Sequence, residues 1–93
     1  MKVVFTEAAA RDVFRLRVFL DEKAPDAAKS AVTAIIRSCA SLATFAERGA
    51  LRNDGSRQLV IAFGARGYVA RYRVDHDTDE VVILRIRHGR ETQ

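Results

Sequence analysis

The sequence has few of the residues that cross-link a fold or interrupt its helices and strands. Its 93 residues include one cysteine, one proline and no tryptophan. A single cysteine, Cys39, excludes an intrachain disulfide and a cysteine-rich metal site. The apolar runs are far shorter than the ~20 residues that cross a bilayer. The first residues, MKVVFTEAAARD, contain early acids and no apolar stretch before a small-residue cleavage site. We therefore expect a cytosolic protein with no membrane association.

Length and composition predict one globular domain over residues 1–93. Hydrophobic residues make up 48% of the chain and charged residues 30%, which is typical of a folded rather than a disordered protein. A chain of this size buries roughly two thirds of the surface that its unfolded form exposes. That is enough for one two-layer core.

Positive charge exceeds negative charge. The formal net charge is +4 and the isoelectric point is about 9.8. Thirteen of the sixteen basic residues are arginine, whose planar fork donates paired hydrogen bonds to phosphate or carboxylate. This bias favours an acidic protein partner or a nucleic acid. Codon bias in an alanine-rich chain explains it equally well, so composition alone leaves both interpretations open.

The first half of the sequence predicts a helix hairpin. After a β-prone stretch at Lys2–Phe5, Thr6 is suited to cap a helix over 7–23, and Pro25 is suited to begin a second helix that ends near residue 43. Apolar residues recur at helical spacing in both segments: Ala9, Val13, Leu16 and Leu20, then Ala28, Val32, Ile35, Cys39 and Leu42.

The second half predicts three strands. A loop over 44–57 contains two glycines and an Asn-Asp-Gly turn signal, and alternating segments follow at 58–63, 68–75 and 81–87. The order is βααβββ. We therefore predict an α+β fold of two layers, with the amino-terminal helix hairpin packed on a small antiparallel sheet.

Period-two alternation divides these strands into two faces. The face predicted to contact the helices holds Leu59, Ile61, Phe63, Tyr72, Val74, Leu84 and Ile86. The opposite face, called here the open sheet face, is predicted to hold Val60, Ala62, Val69 and Ile83 beside Arg71, Arg73, Arg85 and Arg87. The acids of this half lie in or beside one turn, so none is expected to neutralise the middle of the cluster. Antiparallel sheets commonly place polar residues in water, but four arginines over apolar residues favour an interaction surface.

Specific motifs in these strands resemble those of ParE toxins, in the ParE/RelE toxin–antitoxin superfamily that includes plasmid stabilisation proteins. They are Gly67-Tyr68, Arg71-Tyr72-Arg73-Val74 and the segment ILRIRHGR at 83–90. In the helical half, Pro-x-Ala-Ala at 25–28 is similar to the opening of the second helix in that family. The resemblance covers nearly the whole chain.

The resemblance implies a bacterial, cytoplasmic toxin of a type II system. Its partner would be a ParD-like antitoxin whose acidic carboxy-terminal segment wraps the toxin in a hetero-oligomer. ParE members typically bind and inhibit DNA gyrase, and are not known to need a metal or another cofactor. RelE members instead cut messenger RNA on the ribosome.

On this basis we assign two candidate sites. The target-binding residues are expected to be Arg85, Arg87, His88 and Arg90, at the end of the last strand. The antitoxin-binding residues are expected to be Val60, Val69, Arg71, Arg73 and Ile83, on the open sheet face.

The same residues bear on whether the protein is a nuclease. RNA cleavage needs a base, an acid and cations for the strained phosphate, and Arg71, Arg85 and His88 are the candidates. RelE-like enzymes usually carry a carboxy-terminal tyrosine, whereas Gly89 and Arg90 follow His88 here. The alternation also places His88 on the helix-facing side. We therefore predict a gyrase-binding toxin; the alternatives are a ribosome-dependent messenger RNA endonuclease and an inactive member that only binds its antitoxin.

Overall fold

The computed structural model describes residues 1–89 and confirms the α+β architecture, with a helix hairpin packed on a sheet. Its elements, in chain order, are β1 (Lys2–Phe5), α1 (Glu7–Asp21), α2 (Pro25–Ala40), a 3₁₀ turn (Ser41–Ala43), β2 (Ala50–Leu51), β3 (Arg57–Ile61), β4 (Tyr68–Asp75) and β5 (Glu80–His88).

Both helices begin where the sequence predicts. The hydroxyl of Thr6 accepts a hydrogen bond from the backbone N–H of Ala9 at 3.1 Å, which satisfies one free donor of the first turn of α1. The same hydroxyl donates to the carbonyl of Leu84 at 3.0 Å and so ties the helix start to β5. Pro25 is the first residue of α2, where its missing N–H costs no helical hydrogen bond.

The sheet is mixed rather than wholly antiparallel. Its strand order is β1-β5-β4-β3-β2. The β2–β3, β3–β4 and β4–β5 pairs are antiparallel, whereas β1 runs parallel to β5, with Lys2 opposite Glu80 and Phe5 opposite Ile83. The two-residue β2 lies inside the segment predicted to be a loop, and it is too short to show an alternating pattern.

The core lies between the helices and one face of the sheet. Its largest fully buried side chains are Tyr72, Ile35, Leu42, Ile61, Ile83, Val81 and Cys39. Burial raises the pKa of the Cys39 thiol to about 12, so the side chain is a neutral part of the core. Full burial of an aliphatic side chain of this kind contributes about 2 kcal/mol to stability.

A β-bulge in the β4–β5 pair reverses the predicted alternation in the first part of β5, whereas Ile86, beyond the bulge, is buried as predicted. Arg71 lies opposite Arg85, but the next residue of β4, Tyr72, lies opposite Ile83, which leaves Leu84 as an extra residue. As a result Ile83 is fully buried in the core, and Leu84 is only half-buried and outside it. The prediction that Ile83 lies on the open sheet face and Leu84 faces the helices was therefore wrong.

Candidate partner-binding groove and basic sheet face

Arg71 is held by residues of the loop that precedes β3. Its guanidinium forms an ion pair with Asp54 and donates a hydrogen bond to the hydroxyl of Ser56 at 3.2 Å. The Ser56 hydroxyl and backbone N–H donate to Asp54 at 2.6 Å and 2.9 Å. These Ser56 hydrogen bonds, reinforced by Arg71, lower the pKa of Asp54 to about 2. The prediction that no acid neutralises the arginine cluster was therefore wrong, because Asp54 comes from outside the strands.

Arg73 also has an acidic neighbour. Its guanidinium lies 3.5 Å from the carboxylate of Asp75, two residues further along β4. Asp75 in turn accepts hydrogen bonds from the backbone of Asp77 and Thr78, which fixes it in the β4–β5 turn. The charge of Arg73 is thus directed toward the end of its own strand.

Arg85 is bound to α1, and its side chain remains 38% exposed. Its Nε and Nη2 atoms donate to the two carboxylate oxygens of Asp12 at 2.8 Å and 3.1 Å. The backbone N–H of Ile86 donates to the same carboxylate at 2.9 Å. Asp12, only 8% exposed, thereby satisfies a backbone donor at the edge of β5.

The environment of Asp12 keeps it ionised. Burial raises its pKa, but the hydrogen bonds from Arg85 and Ile86 and the positive charges of Arg85 and Arg87 outweigh that effect. The net result is a pKa below the ordinary range for an aspartate. Arg87 is therefore near enough to this carboxylate to influence it.

Arg87 is the arginine of the predicted cluster that remains available. It is exposed, and within residues 1–89 its side chain forms no ion pair. The neighbouring His88 is half-buried and its ring packs edge-on against Tyr68, with the centroids 5.8 Å apart and the planes at 87°. Arg90, also predicted to contact the target, lies outside the described residues.

A groove of about 580 Å³ separates α1 from the end of β5, and we call it the α1–β5 groove. Apolar side chains contribute much of its lining: Leu16, Phe19, Leu20 and Ile86. Basic residues also line it: Arg15, Arg66, Arg85, Arg87 and His88. Asp12 is the acid among the described lining residues, and its carboxylate is bound to Arg85. The groove was not predicted, because it joins a helix to a strand end that is remote in sequence.

The open sheet face retains part of the predicted antitoxin set. Val69 lies between Val60 on β3 and Arg87 on β5 in the strand register, and residues paired in this way share a face. Val60 is 68% exposed and Val69 is 6% exposed. Arg71 and Arg73 are exposed on β4. The bulge places Ile83 in the core, so this residue is not available as an antitoxin contact.

Of the three residues proposed for RNA cleavage, Arg85 and His88 line the α1–β5 groove, whereas Arg71 does not. Arg71 and Arg85 are register partners, yet one guanidinium contacts Asp54 and the other contacts Asp12. His88 pairs with Tyr68, at the other end of that strand pair from the β4–β5 turn.

Among residues 1–89, no group of three or more histidine, cysteine or acidic side chains is placed to hold a metal ion. No helix in the described part of the chain is long and apolar enough to cross a membrane.

Sequence comparison identifies a family. A family model described as the ParE toxin of type II toxin–antitoxin systems, parDE, matches residues 3–93. The chain is 42% identical over 83 residues to toxin RelE3 of Caulobacter vibrioides, and the match covers 89% of this chain and 88% of that one.

Solved structures with the same fold belong to toxin–antitoxin systems. A chromosomal ParDE system from P. aeruginosa matches with a TM-score of 0.78 and 28% identity, over 95% of each chain. The RelBE2 toxin–antitoxin complex from Mycobacterium tuberculosis matches with a TM-score of 0.65 and 27% identity, over 94% of this chain and 95% of that one.

Proposed function

Because this chain belongs to the ParE toxin family of type II toxin–antitoxin systems, we propose that it acts by binding and inhibiting DNA gyrase. The related toxin–antitoxin structures also support an antitoxin as its partner. Gyrase acts on DNA in the bacterial cytoplasm, so we propose that this protein also acts there.

The observation that carries the proposal is the paired contact between Arg85 and Asp12. A nuclease needs cations free to stabilise a phosphate as negative charge develops. Both paired donors of Arg85 already point at a carboxylate, at 2.8 Å and 3.1 Å. Arg71 is engaged in a similar way with Asp54. These contacts favour a protein that acts by binding over one that cleaves RNA.

The proposed target-binding surface is centred on Arg87 and His88. The exposed Arg87 fork can make paired, charge-assisted hydrogen bonds to a carboxylate or a phosphate. The β4–β5 pairing and the Asp12 contacts hold the strand that carries it. Arg85 supports this strand, and its side chain is not itself a free contact.

A supercoiling assay with purified gyrase tests the proposal. The wild-type protein should inhibit supercoiling or trap cleaved DNA, and Arg87→Ala should weaken that effect. Arg17→Ala is the matched control, since it removes an arginine from the exposed i,i+4 pair with Asp21 on α1. Thermal melting should show that both variants fold normally, because exposed charges add little stability. Full gyrase inhibition by a folded Arg87→Ala protein would contradict the proposed surface.

The second candidate is a ribosome-dependent messenger RNA endonuclease. It is favoured by the 42% identity to a protein named RelE3 and by the similarity to a RelBE2 complex. Incubation with ribosomes and a defined messenger separates the two candidates. Cuts at fixed codon positions, without any effect on gyrase, would establish the endonuclease. Absence of both activities, together with antitoxin binding and normal growth on expression, would indicate an inactive member.

A further inference from the structure

We infer that Arg66, in the turn between β3 and β4, is a further target-binding residue that acts together with Arg87 on an acidic protein surface. The inference rests on the proposed function in one respect, namely that the protein acts by binding a target through Arg87. It extends the predicted target-binding set, which was limited to the end of β5 and the residues after it, to a second segment of the chain.

Arg66 and Arg87 line the same cavity although they belong to different parts of the sheet. Arg66 lies in the turn that joins β3 to β4, Arg87 lies on β5, and both line the α1–β5 groove. Both residues are exposed, and neither side chain forms an ion pair within residues 1–89. Two guanidinium forks at this end of the sheet are therefore available to a partner.

A close approach of two main-chain segments holds the turn against the end of β5. The Gly89 N–H donates to the carbonyl of Gly67 at 3.1 Å, and the Gly67 N–H donates to the carbonyl of Phe63 at 2.8 Å, which closes the turn. A Cβ atom on Gly89 would lie 2.4 Å from the carbonyl oxygen of Arg66, and Gly67 has a φ of 66°, so both positions favour glycine. The backbone of Arg66 is thereby fixed beside the strand that carries Arg87.

Aromatic side chains reinforce this junction. The Tyr68 ring centroid lies 6.0 Å from that of Phe63 and 5.8 Å from that of His88, and Tyr68 is only 5% exposed. Contacts of this kind add to the stability gained from burial. The turn and the end of β5 are therefore held together by backbone and side chains. A partner that binds both arginines loses little conformational entropy in bringing them together, because their backbones are already positioned.

The surrounding charges and apolar side chains indicate what kind of surface the two arginines bind. Arg15, on α1, is a third lining arginine without an ion pair in residues 1–89, whereas the lining acid Asp12 is bound to Arg85. This excess of positive charge favours carboxylates or phosphates on the partner. Leu16 and the exposed Phe19 lie in the same wall, and apolar area rimmed by charge is typical of a protein interaction site. The combination favours an acidic protein surface over a phosphate backbone.

Gyrase inhibition and growth inhibition together test the inference. Full-length variants are purified for supercoiling assays, and the same variants are expressed in cells that lack the antitoxin. Arg66→Ala should weaken gyrase inhibition by about tenfold and Arg66→Glu by about a hundredfold, with a parallel loss of toxicity. Arg66→Lys should retain only part of the effect, because an ammonium group keeps the charge but not the paired donors. Arg37→Ala, which removes an exposed arginine of α2 outside the groove, is the matched control and should behave as wild type.

A double-mutant cycle separates a joint contact from a structural effect. If Arg66 and Arg87 bind one acidic cluster, the double alanine variant should lose less inhibition than the product of the two single losses. Gly89→Ala should reduce this coupling, because the added methyl group displaces the end of β5 from the turn. Gly55→Ala is the control, since it strains a left-handed backbone position outside the groove and should leave the coupling unchanged. Circular dichroism melts identify unfolded variants, and the two exposed arginines decide the test if Gly89→Ala does not fold.

Several results would overturn the inference. They are wild-type inhibition and toxicity in a folded Arg66→Ala protein, an equal loss in Arg37→Ala, and losses at Arg66 and Arg87 that multiply without coupling. A labelled DNA duplex is titrated in parallel, and an effect of Arg66→Ala on that binding alone would assign the residue to DNA instead.

The outcomes also distinguish this inference from the proposed target. Reduced toxicity of Arg66→Ala, with no effect of wild type on gyrase, would support the inference and reject gyrase. Gyrase inhibition that Arg66→Ala leaves intact would do the reverse. A wild-type protein that neither inhibits gyrase nor slows growth would overturn both.

Discussion

Arg85 and Asp12 are joined by two hydrogen bonds across 73 positions of sequence. The same carboxylate accepts the backbone N–H of Ile86. One buried acid on α1 therefore satisfies both the side chain and the backbone of the strand that carries the proposed target contacts. This arrangement fixes how the end of β5 lies against the helix.

Replacement of Asp12 by alanine should destabilise the fold. It leaves the Ile86 N–H without its acceptor and Arg85 without its partner, and loss of such a buried acceptor costs about 2–3 kcal/mol. Urea unfolding measures the change, and Asp12→Asn should cost less because an acceptor oxygen remains. Combination with Arg85→Ala should cost less than the sum of the single changes, since the two side chains act together. Strict additivity would show that the contact contributes no stability.

The contribution of Asp12 should depend on pH in a defined direction. Burial raises its pKa, but the hydrogen bonds from Arg85 and Ile86 lower it by more, so the pKa of Asp12 lies below the ordinary range for an aspartate. A group with a lowered folded pKa stabilises the protein above its unfolded pKa, and that stability is lost as pH falls through the folded pKa. The difference in unfolding free energy between wild type and Asp12→Asn should therefore be full near about pH 6 and shrink below about pH 4. A difference that grew on acidification would contradict this assignment.

The bulge in β5 predicts unequal losses of stability for two adjacent residues. Ile83→Ala should cost about 2–5 kcal/mol, because a fully buried side chain leaves a cavity. Leu84→Ala should cost much less, about 1 kcal/mol, since Leu84 is half-buried outside the core. Thermal or urea unfolding of the two variants gives the comparison. Equal losses of stability, or a larger loss for Leu84→Ala, would indicate that the side chains of β5 alternate between the two faces without a bulge.

Tyr72 should anchor the loop between the 3₁₀ turn and β3. Its buried hydroxyl donates to the Ala46 carbonyl at 2.7 Å and accepts from the Gly49 N–H at 2.8 Å. Tyr72→Phe leaves both backbone groups without this partner and should cost about 1–3 kcal/mol. Hydrogen exchange measured by NMR should show faster exchange at the Gly49 amide, while the amides of α1 serve as the unaffected reference. Unchanged protection at Gly49 would show that the hydroxyl does not hold the loop.

The main elements of the fold could be predicted because each has a local signal. Thr6 and Pro25 mark helix starts, and the apolar spacing of 3.6 changes to 2 after the loop. The parallel β1–β5 pairing has no such signal, since Lys2–Phe5 is a short stretch whose partner is remote in sequence. The bulge at Leu84 could not be predicted from the sequence either, because it depends on the register between β5 and β4 and not on the alternation within β5.

The candidate site was predicted only in part for the same reason. Arg87 is exposed as expected, but the partners of Arg71 and Arg85 come from a loop and from α1. One signal was available for Asp12. It lies three residues after Ala9 and four before Leu16, so it is an acid on an otherwise apolar helical stripe. A charge in that position indicates a buried partner.

The parallel pairing of β1 with β5 delays closure of the sheet until the residues around Glu80 have been synthesised. Lys2 lies beside Glu80, so β1 has no sheet neighbour until synthesis has passed residue 80. At translation rates of about 5–20 residues per second, this delay is on the order of 4–15 s. The strand that presents Arg87 also closes the sheet last, because contacts distant in sequence form late. A nascent toxin therefore spends this interval on the ribosome without its proposed target-binding surface, and an antitoxin already in the cell has that interval in which to meet it.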